Sequence, residues 1–181
     1  MTRMTCWLVA ISALVLAIFG DTAVSAQDTG QAKYTARVPN GLAFSEFRGY
    51  ETWKVISVSQ TGDVMSVILG NPVIIDAYRA GIPGNGKPFP DGSKMAKTHW
   101  KTKKSATAPA PTLVPDTLRD VDFMAKDGKR FADSGGWGYA QFNYDPASDS
   151  FAPEGTGANC GAACHTVVKT RDYVFTDYGK R

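Results

Sequence analysis

Histidine and cysteine are both scarce in this chain, with two histidines and three cysteines among 181 residues. Runs of like charge are missing as well: no five residues of one sign occur in succession, and the formal net charge is only +3. That balance is too mild for a nucleic acid or an anionic membrane to be the natural partner. There are no internal repeats, which excludes a solenoid. The one long apolar run, Trp7 to Gly20, is too short to span a bilayer comfortably. With Arg3 before it and Val24-Ser25-Ala26 ahead of polar Gln27, the run predicts a secretory signal peptide over 1–26. Cleavage there removes Cys6, which precedes the apolar run and is badly placed for lipidation. The signal points to a periplasmic address, where thiols can be oxidised or carry a covalent cofactor. About 155 residues remain, enough for one domain and its core.

Residues 27–41 are polar and aperiodic, which predicts a flexible arm. A single domain over 42–181 follows. Leu42, Phe44 and Phe47 suit a short amphipathic helix ending near Gly49. Trp53 to Ser59 and Val64 to Leu69 read as strands around a Gly62-Asp63 turn, and Asn71-Pro72 opens a helix that stops at Gly81. The prolines and glycines from Gly81 to Gly92 make a loop. Alternation from Ser93 then places Met95, Lys97, His99 and Lys101 on one face of a strand. Thr102 to Pro115 reads as a long exposed connection. Val121 to Ala125 forms a further strand, Lys129 to Ala132 a helical turn, and Trp137 to Tyr144 a last strand. The fold class is α+β, mainly antiparallel sheet of about five strands with a few short helices. A C-terminal segment holding both remaining cysteines is appended last.

That segment, Asn159-Cys160-Gly161-Ala162-Ala163-Cys164-His165, concentrates the chemistry. Cys-x-x-Cys-His is the signature of covalent haem attachment, with two thiols bonded to haem vinyls and the histidine bonded to iron. Here the spacing is one residue longer. In a helix, however, an i,i+4 pair shares a face as an i,i+3 pair does. The spacing therefore admits two readings, a c-type haem site or a short disulfide in a haem-free module.

Three further blocks carry a resemblance. Asp172-Tyr173-Val174-Phe175-Thr176 after the cysteine motif, Phe89-Pro90-Asp91-Gly92-Ser93 leading to Ala96-Lys97, and Arg130-Phe131-Ala132 before Gly136-Trp137 occur in order. Together they resemble the cytochrome P-460 family from about Glu46 to the C-terminus. The resemblance implies a periplasmic homodimer with one haem c, bound through Cys160 and Cys164 and ligated by His165. In one branch, which oxidises hydroxylamine to nitrogen oxides, a lysine is bonded to the haem edge, and Lys97 stands at that position. The sister branch, cytochrome c′-beta, lacks the bond and binds nitric oxide. Ser66 stands where an arginine of the hydroxylamine oxidisers aligns.

On the residues alone Lys97 is an ordinary solvated strand lysine. Bonding to carbon requires a neutral amine, which burial against haem supplies by disfavouring the ammonium. The sixth iron position separates electron carriers from enzymes and gas binders. His99, Met65, Met95 and Met124 are the side chains able to fill it, and each is equally a core or strand-face residue. An open site is expected, serving hydroxylamine or nitric oxide, with a soluble cytochrome as redox partner. Tyr139, Phe142, Phe175 and Tyr178 are the expected pocket walls.

Overall fold

The computed structural model describes residues 33–39, 41–155 and 157–179. The expected signal peptide and residues 27–32 lie outside the described residues. The fold is α+β: six strands form one antiparallel sheet in chain order, β1 (Lys54–Thr61), β2 (Val64–Gly70), β3 (Lys94–Lys104), β4 (Leu113–Lys126), β5 (Trp137–Asp145) and β6 (Ser150–Pro153). Each strand pairs antiparallel with its neighbours in sequence, so no crossover connection is needed. Gly62, with φ of 58°, makes the expected turn between β1 and β2.

Helix α1 (Pro72–Arg79) connects β2 to β3 and forms where its caps predict. The Asn71 side chain accepts a hydrogen bond from Ile74 N at 3.1 Å, and Pro72 occupies the first turn. Asn71 also accepts from Lys94 N at 3.1 Å, tying the helix start to β3. Ile74, Ile75, Ala77 and Tyr78 face inward.

Period-two alternation divides the core between the two faces of the sheet. Ala96, Val121, Phe123, Ala140 and Phe142 pack on one side beneath Val38, Leu42, Phe44, Phe47 and Tyr50. Met95, Met124, Trp137 and Tyr139 pack on the other beneath α1, Phe89 and Val174. The N-terminal segment thus covers one face, while α1 and the C-terminal segment cover the opposite face.

Four expectations change. The second half of the predicted arm is packed: Val38 is fully buried, Arg37 bridges to Ala43, and the Arg48 guanidinium lies 3.5 Å from the Tyr34 ring centroid. Val38 anchors this half, with Tyr34 and Ala36 packed beside it on the same core. In place of one amphipathic helix, Phe44–Phe47 and Tyr50–Thr52 are separate 3₁₀ turns. With three residues per turn, Phe44 and Phe47 lie in line and both reach the sheet. The predicted connection over 102–115 shrinks to 105–112, because β3 runs to Lys104 and β4 begins at Leu113. Pro115 is tolerated there since β4 pairs with β5 only from Asp120 onward, leaving that side of Pro115 without a strand to bond. The sixth strand, β6, adds to the five read from alternation.

Candidate functional site

Helix α2 (Gly157–His165) packs across β5 through Gly161. A Cβ at Gly161 would stand 2.7 Å from Tyr139 Cγ and 2.8 Å from Tyr139 Cβ, so only glycine permits this approach. Cys160 and Cys164 lie one turn apart on α2, and both are exposed free thiols. The Cys160 thiol is held above the ordinary thiol range chiefly by the charge of Cys164 beside it.

His165 ends α2. The chain then passes through a 3₁₀ turn, Thr166–Arg171, and reverses at Asp172 and Tyr173, whose φ angles are 50° and 63°. That reversal brings the Tyr173 carbonyl 2.6 Å from His165 Nδ1. Since a carbonyl can only accept, Nδ1 carries the proton and Nε2 keeps its lone pair for a ligand. The imidazole sits between Tyr139 and Phe175, with ring centroids 5.0 and 4.9 Å away. Burial lowers its pKa below the usual 6.5, and the nearby Lys97 charge adds to this against the Tyr173 hydrogen bond, so the ring is neutral at neutral pH.

Cys160, Cys164 and His165 border a cavity of about 280 Å³ between α2, the returning segment 174–176 and the sheet. Met95, Lys97, Asp122, Met124 and Tyr139 form its sheet wall. Lys97 is therefore brought together with all three residues of the cysteine motif. Asp122, which sequence reasoning missed, stands directly across from Lys97 in the β3–β4 register. Its only signal was a carboxylate inside the apolar run Val121 to Ala125, at the parity that faces the cavity.

Asp122 is an unusual carboxylate. Its Oδ1 is buried with no hydrogen-bond partner although the side chain as a whole is 38% exposed. Burial raises its pKa above 3.8, and Asp120 adds to this against the opposing pull of His99 and Lys97. His99 turns away from cavity chemistry: its Nδ1 bonds Asp120 Oδ1 and lies 3.9 Å from Asp122 Oδ2. Burial works against ionisation of Asp120, but hydrogen bonds from His99 and Arg119 hold its pKa below the usual value.

Of the expected walls, Tyr139 and Phe175 line the cavity. Phe142 does not, because residues 139 and 142 have opposite parity on β5 and Phe142 belongs to the other core. Tyr178 stacks on Tyr78 at 5.6 Å. Met95 and Met124 reach the cavity wall and are also core residues.

Whether these residues suit a haem can be judged from their unfilled bonds. Tyr139 Oη and Asp122 Oδ1 are both buried without partners, and both belong to cavity-lining residues. A buried polar atom left unpaired costs about 1–3 kcal/mol, so such atoms mark a place where another group belongs. Two thiols on one helix edge, a neutral imidazole with Nε2 free, and an apolar wall make a donor set that fits. Fold and site together define a class: a small antiparallel-sheet domain whose C-terminal helix and sheet enclose a haem pocket. The Cytochrome P460 family model matches residues 47–176, and the chain belongs to that family. Membership brings a haem cofactor. No curated protein sequence matches the chain.

Proposed function

We propose that the protein is a periplasmic c-type haem protein that oxidises hydroxylamine to nitrogen oxides. The observation that carries this reading is the placement of Lys97 on the cavity wall opposite Cys160, Cys164 and His165, with Asp122 across the strand from it. Cys160 and Cys164 would hold the haem by adding their thiols across its vinyl groups, and His165 Nε2 would ligate iron. When bound, the haem supplies the redox chemistry that takes electrons from a nitrogen substrate. Lys97 would bond through its neutral amine to a haem edge carbon, N–H and C–H giving up their hydrogens to a two-electron oxidant of the peroxide class, and the bond would distort the macrocycle and alter its electronics. Asp122 accepts protons lost by the substrate, a task suited to a carboxylate whose pKa is raised by burial. The apolar wall of Met95, Met124 and Phe175 limits water around the reacting nitrogen. Electrons leave to a soluble cytochrome, and the protein acts as a homodimer after loss of residues 1–26.

Lys97→Ala tests the reading. It should retain covalent haem and the fold, shift the absorption spectrum toward an ordinary c-type haem, and abolish hydroxylamine oxidation while nitric oxide still binds. An identical spectrum and identical tryptic haem-peptide mass in wild type and variant would instead favour the nitric oxide binding role of cytochrome c′-beta, to which the small buried Ser66 beside His99 also inclines. A haem fully extracted by acid-acetone would show that Cys160 and Cys164 are not attached.

A further inference from the structure

The reversal that presents Tyr173 to His165 is secured by a buried ion pair that the proposed chemistry leaves unused. Lys126 Nζ lies 2.6 Å from Asp172 Oδ1, and the two side chains are only 8% and 11% exposed. The other strong bonds of the two side chains reach the loop before β3 and the β4–β5 connection. Asp172 Oδ2 accepts from Phe89 N at 2.8 Å, and Lys126 Nζ donates to Gly135 O at 2.9 Å. Gly135 also receives the Tyr173 ring, since a Cβ there would lie 2.1 Å from Tyr173 Cε2. The left-handed φ of Asp172 is one that Asp and Asn tolerate, whereas the same region is strained for Tyr173 and must be imposed by its surroundings.

We propose that Lys126 and Asp172 are positioning residues that set the strength of the hydrogen bond from His165 Nδ1 to the Tyr173 carbonyl, and through it the redox potential of the haem. The proposal rests on His165 being the iron ligand. The carbonyl of Tyr173 is one residue from the Asp172 side chain, so the charge pair fixes the peptide that carries it. A firm bond at Nδ1 makes the imidazole a more basic ligand, and a more basic ligand favours ferric over ferrous iron. An ion pair drawn from β4 and from the C-terminal turn thus couples the rigid sheet to the ligand's second nitrogen.

Haem-loaded Asp172→Asn, Lys126→Met and the double variant provide the test. Asp172→Asn keeps the residue's shape and its tolerance of positive φ while removing the charge. The double variant leaves no uncompensated buried charge, so it folds where a single variant fails to. Each variant should show a lower iron–histidine stretching frequency in the ferrous state and a more positive midpoint potential. The double variant should shift less than the two singles combined, as residues acting in one unit do. Unchanged frequency and potential in folded variants, or shifts that simply add, would overturn the proposal. His165→Ala separates the two levels of inference. It should abolish the iron–histidine band, and a band that persists would overturn the ligand assignment itself.

Discussion

A Cβ at Gly161 would meet Tyr139 at its own Cβ and Cγ, atoms that cannot swing aside as a ring edge can. Gly161→Ala gains about 1 kcal/mol of helix propensity but must push α2 off β5, and overpacking of this kind costs about 1–3 kcal/mol. The expected result is a net loss of about 1 kcal/mol in urea unfolding, with slower covalent haem attachment because the thiols move with the helix. At Asp122 the expectation concerns pH. Its pKa is raised by burial, so the proton-accepting form grows in as pH rises through a value above the ordinary carboxylate range. Hydroxylamine oxidation should climb along that limb, and Asp122→Asn should remove the limb while leaving haem content unchanged. A pH–rate profile of both proteins checks this.

Between elements, the tie from the Phe44–Phe47 turn to the segment joining β4 and β5 runs through one carboxylate. Arg130 forms two bonds to Glu46, Nη1 to Oε2 at 2.6 Å and Nη2 to Oε1 at 3.1 Å, while Glu46 Oε1 accepts from Ala43 N at 2.8 Å. Burial pushes the Glu46 pKa up, but Arg130 and the Ala43 N–H pull it below the usual 4.5. A carboxylate with a depressed folded pKa contributes stability above its unfolded pKa and loses it as pH falls through the folded value. The contribution should thus be present in full at neutral pH and disappear below the ordinary glutamate range. Glu46→Gln should lower stability at pH 7 and cost progressively less as pH falls below the ordinary glutamate range, as read from urea midpoints. Phe44, fully buried against Phe123 at 5.2 Å and Phe142 at 5.1 Å, anchors the same turn. Phe44→Ala should cost about 3–5 kcal/mol.

Across the whole molecule, the N-terminal segment and the haem pocket lie on opposite faces of one sheet, so they can be perturbed separately. Removing residues up to Asn40 strips the fully buried Val38 and the Tyr34 ring from the first core. It should lower the melting temperature by the loss of about 1.5–3 kcal/mol of burial while haem content stays at the wild-type level. Much of this architecture was legible in the chain. Asn71, Pro72 and Gly81 specified α1 because caps act through bonds within a few residues, and alternation from Ser93 put Lys97 on the same face as Met95, which lines the cavity, because strand parity is local. The cysteine motif and its neighbour His165 were likewise readable as a unit. Other features depended on partners far along the chain. β6 is four residues long and becomes a strand only by pairing with β5. Phe142 and Tyr139 were assigned to one wall, although three residues along a strand reverse the face. Asp122 acquires its raised pKa from burial in the assembled pocket, and Asp172 meets Lys126 across 46 positions of sequence. The sequence by itself determined helix α1, the five longer strands and the spacing of the cysteine motif, since propensity, parity and helical spacing are short-range. Only the tertiary structure decided which nitrogen of His165 stays free and which carboxylate faces Lys97, because hydrogen bonding and desolvation are set by groups that folding alone brings together.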